Sequence, residues 1–185
     1  MKMLKVFFLS TILLLQTAVA DAAFFQASEK QPYHISVGAV LFNEEGLVAC
    51  HHFEEVMGQK DIYILMRESM EDDETILTTL HRGLQEEFGA KAIPVAFVGA
   101  LSGFLYSPVL SFDKTTLYIV CKLIEWNPEN RDADDPEAFS NIEWHEPQNL
   151  MALMKQQGLK FNRVDADESE MILRALPYIQ SSLAD

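Results

Sequence analysis

Basic residues are scarce in this chain: Lys and Arg number 14 against 28 Asp and Glu, a formal net charge of −14 at pH 7. A surface this acidic repels phosphate backbones, so nucleic acid is excluded as an expected partner. A smaller anionic substrate meets the same repulsion unless a divalent cation bridges it to the carboxylates. Cysteine is nearly absent. Cys50 and Cys121 are the only two, and both lie in apolar, strand-like stretches where a disulfide and a pair of buried free thiols are about equally compatible with the sequence. Long apolar runs are also missing. The run Val6 to Leu15 falls short of the roughly 20 residues that cross a bilayer, and no later segment is more apolar, so no stable membrane anchor is expected. The chain has no internal repeat.

Apolar residues make up 49% of the sequence and aromatic ones 10%, enough for one sizeable core and hence one domain. At the start, Lys2 and Lys5 precede the run Val6 to Leu15, and the small residues Ala18-Val19-Ala20 follow. These are the three parts of a secretory signal, with cleavage expected after Ala20 and a periplasmic or secreted mature protein. The expected organisation is a signal peptide over 1–20, a linker over 21–32 that includes the polar Gln26 to Gln31, and a folded domain over 33–185. Loss of Lys2 and Lys5 leaves 12 basic residues against the 28 acidic ones, a net of −16 for the mature chain.

Short β-branched and apolar stretches predict strands over His34 to Phe42, Leu47 to Phe53, Asp61 to Met66, Val95 to Val98 and Thr115 to Ile124, with a turn at Asn43-Glu44-Glu45-Gly46. The clearest helix begins near Asp72-Asp73-Glu74, carries Leu77, Leu80, Leu84 and Phe88 on one face, and ends at Gly89 as a left-handed cap. Weaker helical patterns run over Gln148 to Lys155 and Glu168 to Leu176, and the polar stretch Asn127 to Phe139 reads as a loop. Strands flanked by helices give an α/β sandwich.

Helical periodicity puts positions 83, 86 and 87 on one face, beside the apolar stripe, so that Glu86 and Glu87 project together. Adjacent carboxylates repel unless a cation lies between them, and with Mg²⁺ or Mn²⁺ they become hard oxygen ligands. Arg82, one turn before Glu86, can hold that carboxylate in place. Solvated surface is the ordinary fate of a Glu-Glu pair, and the pair alone would carry little.

The whole stretch, however, resembles the Nudix box. Glu74, then seven residues, then Arg82, Leu84, Glu86, Glu87, Gly89 and Ala90 fall in its register, Tyr63 to Arg67 looks like the entering strand, and Glu71 matches an acid common in its loop. Downstream, "NIEWHEPQNLMAL" resembles the family's late strand, its Trp144 and its closing helix, so the likeness covers roughly Tyr33 to Leu176. The resemblance implies a Nudix-like α/β/α sandwich with a mixed sheet. It also implies metal-dependent hydrolysis of a nucleoside diphosphate linked to another moiety, or of a related pyrophosphate. Glu86 and Glu87 would bind Mg²⁺ or Mn²⁺, supported by Arg82 and Glu74, and the substrate would be a small phosphate-containing molecule. A base would come from a later loop, where Asp134, Asp135 and Glu137 are available.

Two positions depart from the box. Its first Gly is Glu68 here, and the Glu expected directly after Arg82 is Gly83. Gly83 costs a helix about 1 kcal/mol relative to Ala and removes a carboxylate that the family uses at the metal centre. Read as a simple loss, it predicts weakened or altered activity that Gly83→Glu would restore. Read as a rebuilt site, it calls for another acid such as Glu68. An alternative is a catalytically inactive Nudix-like domain that binds a ligand or a protein. His51-His52 does not read as a chelating pair, because adjacent strand residues point to opposite faces. His81 and His145 lack ligand spacing, and Trp144 suits the core as well as a base-stacking surface.

Overall fold

The computed structural model describes residues 33–56, 58–105 and 112–184; the expected signal peptide and linker lie outside the described residues. The strands are β1 (Tyr33–Phe42), β2 (Val48–Val56), β3 (Gln59–Ile64), β4 (Met66–Ser69), β5 (Ala90–Leu105), β6 (Phe112–Trp126) and β7 (Asn141–His145). The helices are α1 (Ile76–Phe88), α2 (Pro147–Phe161) and α3 (Ser169–Ala184). One sheet runs β3-β2-β1-β6-β5, with β4 added on β1 and β7 on β2. The β1–β6 pairing is parallel and the others are antiparallel, so the sheet is mixed.

Alternation along the strands sorts the core into two halves. Val40, Phe42, Val48 and Val120 pack beneath α2 and α3 against Leu150, Met154, Met171 and Ile172. Val37, Ala39, Leu41 and Ile119 pack beneath α1 against Leu80, Leu84 and Phe88. Full burial of each such side chain contributes about 1.5–3 kcal/mol, so each helix is fixed chiefly by its apolar stripe. Cys50 belongs to the first half and Cys121 to the second. The thiols are therefore on opposite faces of the sheet, buried and free.

Several boundaries differ from those expected. α1 starts at Ile76, because the Thr75 side chain caps it and exchanges hydrogen bonds with Thr78 in a capping box, leaving Asp72 to Glu74 in the preceding loop. Leu77 falls outside the buried stripe and is 52% exposed. Gly89 ends α1 as expected, in the left-handed region at φ 63° with its N–H directed to the Leu84 and Gln85 carbonyls. The single strand expected over Asp61 to Met66 is two, since the Leu65 N–H donates to Glu168 Oε2 at 2.8 Å instead of to a neighbouring strand. β3 pairs with β2 before that point and β4 pairs with β1 after it. α3 continues through Pro177 to Ala184, carried by burial of Ala175 and Ile179. Among the described residues, no helix is long and apolar enough to cross a membrane.

Candidate metal centre

Arg82, on α1, is the hub of the acidic surface. Its Nε donates to Glu74 Oε1 at 2.9 Å and its NH2 to Glu74 Oε2 at 2.8 Å, a two-point grip. The same guanidinium donates to the Ser69 carbonyl at 2.8 Å, approaches Glu86 Oε2 at 3.3 Å and approaches Glu68 Oε1 at 3.1 Å. Glu74 accepts further hydrogen bonds from the Glu71 N–H and the Thr79 hydroxyl. The grip of Arg82 holds its carboxyl down at about 2. Arg82 and Glu74 thus occupy the supporting places that the box spacing suggests, binding the loop before α1 to the helix and steering Glu86.

Glu86 and Glu87 do not project together. Glu86 stays half-exposed beside Arg82. Glu87 turns inward, is 2% exposed, and places Oε2 2.7 Å from His51 Nε2. The other nitrogen of His51 lies 2.7 Å from the Ser140 hydroxyl. Burial holds the His51 imidazole down at about 3, and burial with the nearby Asp135 raises the Glu87 carboxyl to about 8. A neutral carboxyl against a neutral imidazole satisfies both groups. His51 and His52 do take opposite faces: His52 stacks on Tyr63 and meets Glu143 at 2.7 Å. The partnership of His51 with Glu87 had no signal in the sequence beyond that alternation.

The loop after β6 closes over the end of α1. The Asp132 N–H donates to the Glu86 carbonyl at 2.9 Å, and the Trp126 indole donates to the Phe88 carbonyl at 3.0 Å. Arg131 clasps the loop from within, donating to the Glu137 and Ser140 carbonyls at 2.9 Å each. This folding brings Asp135 and Glu137 to α1, while the Asp134 N–H turns back onto Asp132 within the loop. Burial, Glu87 and Asp135 push the Glu137 carboxyl up to about 7. Burial and Glu87 push Glu68 up to about 7 as well, against the opposing pull of Arg82.

Carboxylate oxygens of Glu68, Glu86 and Asp135 all lie within 4.8 Å of one another. They come from β4, α1 and the late loop, and all are half-buried. The donor set consists of hard oxygens, the chemistry that Mg²⁺ and Mn²⁺ select, and mutual repulsion within the set is relieved by a divalent cation. The residues present therefore fit such an ion. Glu68 reaches the set because nothing stands in its way at Gly83: a β-carbon there would overlap the Glu68 side-chain stem and lie 2.8 Å from Met66 Sδ. Gly83 is therefore a packing requirement as well as a missing carboxylate. His81 is exposed and His145 pairs with Glu143, and neither belongs to this set. Trp144 packs against the α1 half of the core, edge-on to Trp126.

Comparison with known proteins agrees with this architecture. The model of the NUDIX domain matches residues 32–164, well over half of the chain. Among solved structures, the chain is similar to the NUDIX hydrolase from Nitrosomonas europaea, with a TM-score of 0.52 at 16% identity, covering 65% of this chain and 77% of that one. At that identity the likeness bears on the fold alone. No curated protein matches the sequence. Nudix domains carry pyrophosphohydrolase-type activity on nucleoside diphosphate derivatives and generally use divalent ions. The family model, the mixed sheet between helices and the register of Glu74, Arg82, Glu86, Glu87 and Gly89 agree, and the chain belongs to the Nudix family.

Proposed function

We propose that the protein is a divalent-metal-dependent hydrolase that cleaves the diphosphate of a nucleoside diphosphate linked to another moiety, or a related pyrophosphate. The observation that carries this reading is the convergence of the Glu68, Glu86 and Asp135 oxygens from three separate segments of a Nudix domain. Glu86 would hold Mg²⁺ or Mn²⁺ at this set, while Glu87 lies behind it, buried against His51. When bound, the ion supplies charge neutralisation for the phosphates and a more acidic water. Arg82 and Glu74 are positioning residues, since their mutual grip fixes the rotamer from which Arg82 meets Glu86.

Glu137 is the group we assign to accept the proton of the attacking water. It is half-buried in the late loop, its N–H donates to Asp135 at 2.7 Å, and burial with the neighbouring acids raises its carboxyl. The water oxygen forms a bond to phosphorus as the phosphoanhydride P–O bond breaks. The proton passes to Glu137, and the electron pair leaves with the departing phosphate.

The test is phosphate release from a panel of nucleoside diphosphate derivatives with Mg²⁺ or Mn²⁺. Glu137→Gln should lower kcat by about 100-fold or more with KM little changed. A panel that is bound but never hydrolysed would favour the second reading, a ligand-binding Nudix domain, to which the Gly in place of the box Glu at position 83 lends weight. Export is also part of the proposal, supported by Lys2, Lys5, the apolar run and Ala18-Val19-Ala20. Mass spectrometry of the mature protein should find its N-terminus at or near Asp21, and an intact Met1 would refute export.

A further inference from the structure

Resting on that metal-dependent reading, we propose that Glu68 on β4 supplies the metal-binding carboxylate that α1 lacks at Gly83, and that Gly83 is glycine to make room for it. The two departures from the box are then one reciprocal exchange. Where the box has glycine on the strand side and glutamate on the helix, this chain has glutamate on the strand and glycine on the helix.

The packing makes the two halves of the exchange mutually dependent. A β-carbon at position 83 would overlap Glu68 Cβ, lie 3.1 Å from Glu68 Cγ and lie 2.8 Å from Met66 Sδ. Glu68 and a side chain at 83 therefore cannot both occupy this space without movement of the strand. Register directs Glu68 to the correct side. Val37, its partner on β1, belongs to the α1 half of the core, and cross-strand partners share a face. The Ser69 N–H at 2.8 Å and Arg82 at 3.1 Å then fix the carboxylate, with its oxygens among those of Glu86 and Asp135. A glutamate serving only as a counterion for Arg82 would have no need of Asp135 beside it. Glu74 already grips that guanidinium at two points.

Mn²⁺ binding to the purified protein, followed by electron paramagnetic resonance without substrate, separates the readings. Glu68→Gln keeps the shape of the stem and should weaken Mn²⁺ binding by about 10-fold or more, through loss of one charged ligand. Gly83→Glu alone should unfold more readily in urea and bind Mn²⁺ poorly, since two stems compete for one space. The double variant Glu68→Gly with Gly83→Glu should recover both folding and most of the Mn²⁺ affinity. Unchanged affinity in Glu68→Gln, with wild type binding Mn²⁺, overturns this proposal and leaves the metal-dependent reading standing. A folded double variant that binds no Mn²⁺ overturns the exchange. A wild type that binds no Mn²⁺ overturns the metal-dependent reading and the exchange together.

Discussion

Glu87 and Glu168 are each exposed by 2% or less, one on the α1 side of the sheet and the other on the α2–α3 side, yet their surroundings are opposite in kind. Glu168 is met by donors. Leu65 gives it an N–H at 2.8 Å, Tyr118 gives its hydroxyl, and Arg67 Nε lies at 3.6 Å. Glu87 is met by His51 at 2.7 Å and a distant Arg67 N–H at 3.5 Å, and burial with the nearby Asp135 raises its carboxyl against the pull of Arg67 and Lys114. A buried carboxylate surrounded by donors ties elements together, and here it sets the point at which the chain leaves β2 for β1. The clustered oxygens of Glu68, Glu86 and Asp135 beside Glu87 carry mutual repulsion that a divalent cation can relieve. Strand β4 serves both sides by simple alternation, with Arg67 directed to Glu168 and Glu68 to α1.

Removing Glu168 should therefore have the largest effect on stability. Glu168→Ala leaves the Tyr118 hydroxyl, the Leu65 N–H and Arg67 without their shared acceptor, and urea unfolding should report a loss of about 3–5 kcal/mol. A loss below about 1 kcal/mol would mean that water replaces the carboxylate, and the contrast between the two faces would fail. Next in size is the response to metal. If the acidic side is built for an ion, Mg²⁺ or Mn²⁺ at about 100 times its dissociation constant should stabilise the fold by about 2.7 kcal/mol, and a chelator should reverse the gain. Thermal unfolding with and without the ion measures it, and the Glu86→Gln variant should lose the gain. An identical gain in Glu86→Gln would put the ion elsewhere.

Much of the α1 side was legible in the sequence because its contacts are local. Arg82 and Glu86 sit one turn apart on the helix, so spacing brings them together, and the resemblance to the box added Glu74 from the adjoining loop. Gly89 follows from the same helical geometry. The helix start was missed, since Asp72 and Glu74 look like first-turn acids while the Thr75–Thr78 capping box nearer the apolar stripe wins. Glu87 was misaimed for a related reason: helical periodicity gives its direction but not what waits there, and what waits is His51, 36 residues away in the chain. Asp135 and Glu137 were available only as members of an acidic loop, because their arrival depends on Arg131, Ser140 and the carbonyl of Glu86.

The amino-acid sequence by itself determined the α/β class, the box helix, the alternation that separates His51 from His52, and the acidic character of the chain. Each of these depends on periodicity or on charge, which act over a few residues or through the whole composition. Tertiary structure decided that Cys50 and Cys121 face apart, that Glu87 is withdrawn against His51 while Glu86 remains at the surface, and that Gly83 is the floor beneath Glu68. These depend on which strand lies beside which helix and at what register, and a one-residue slip of β4 along β1 would turn Glu68 away from α1 and present Arg67 or Ser69 to it instead.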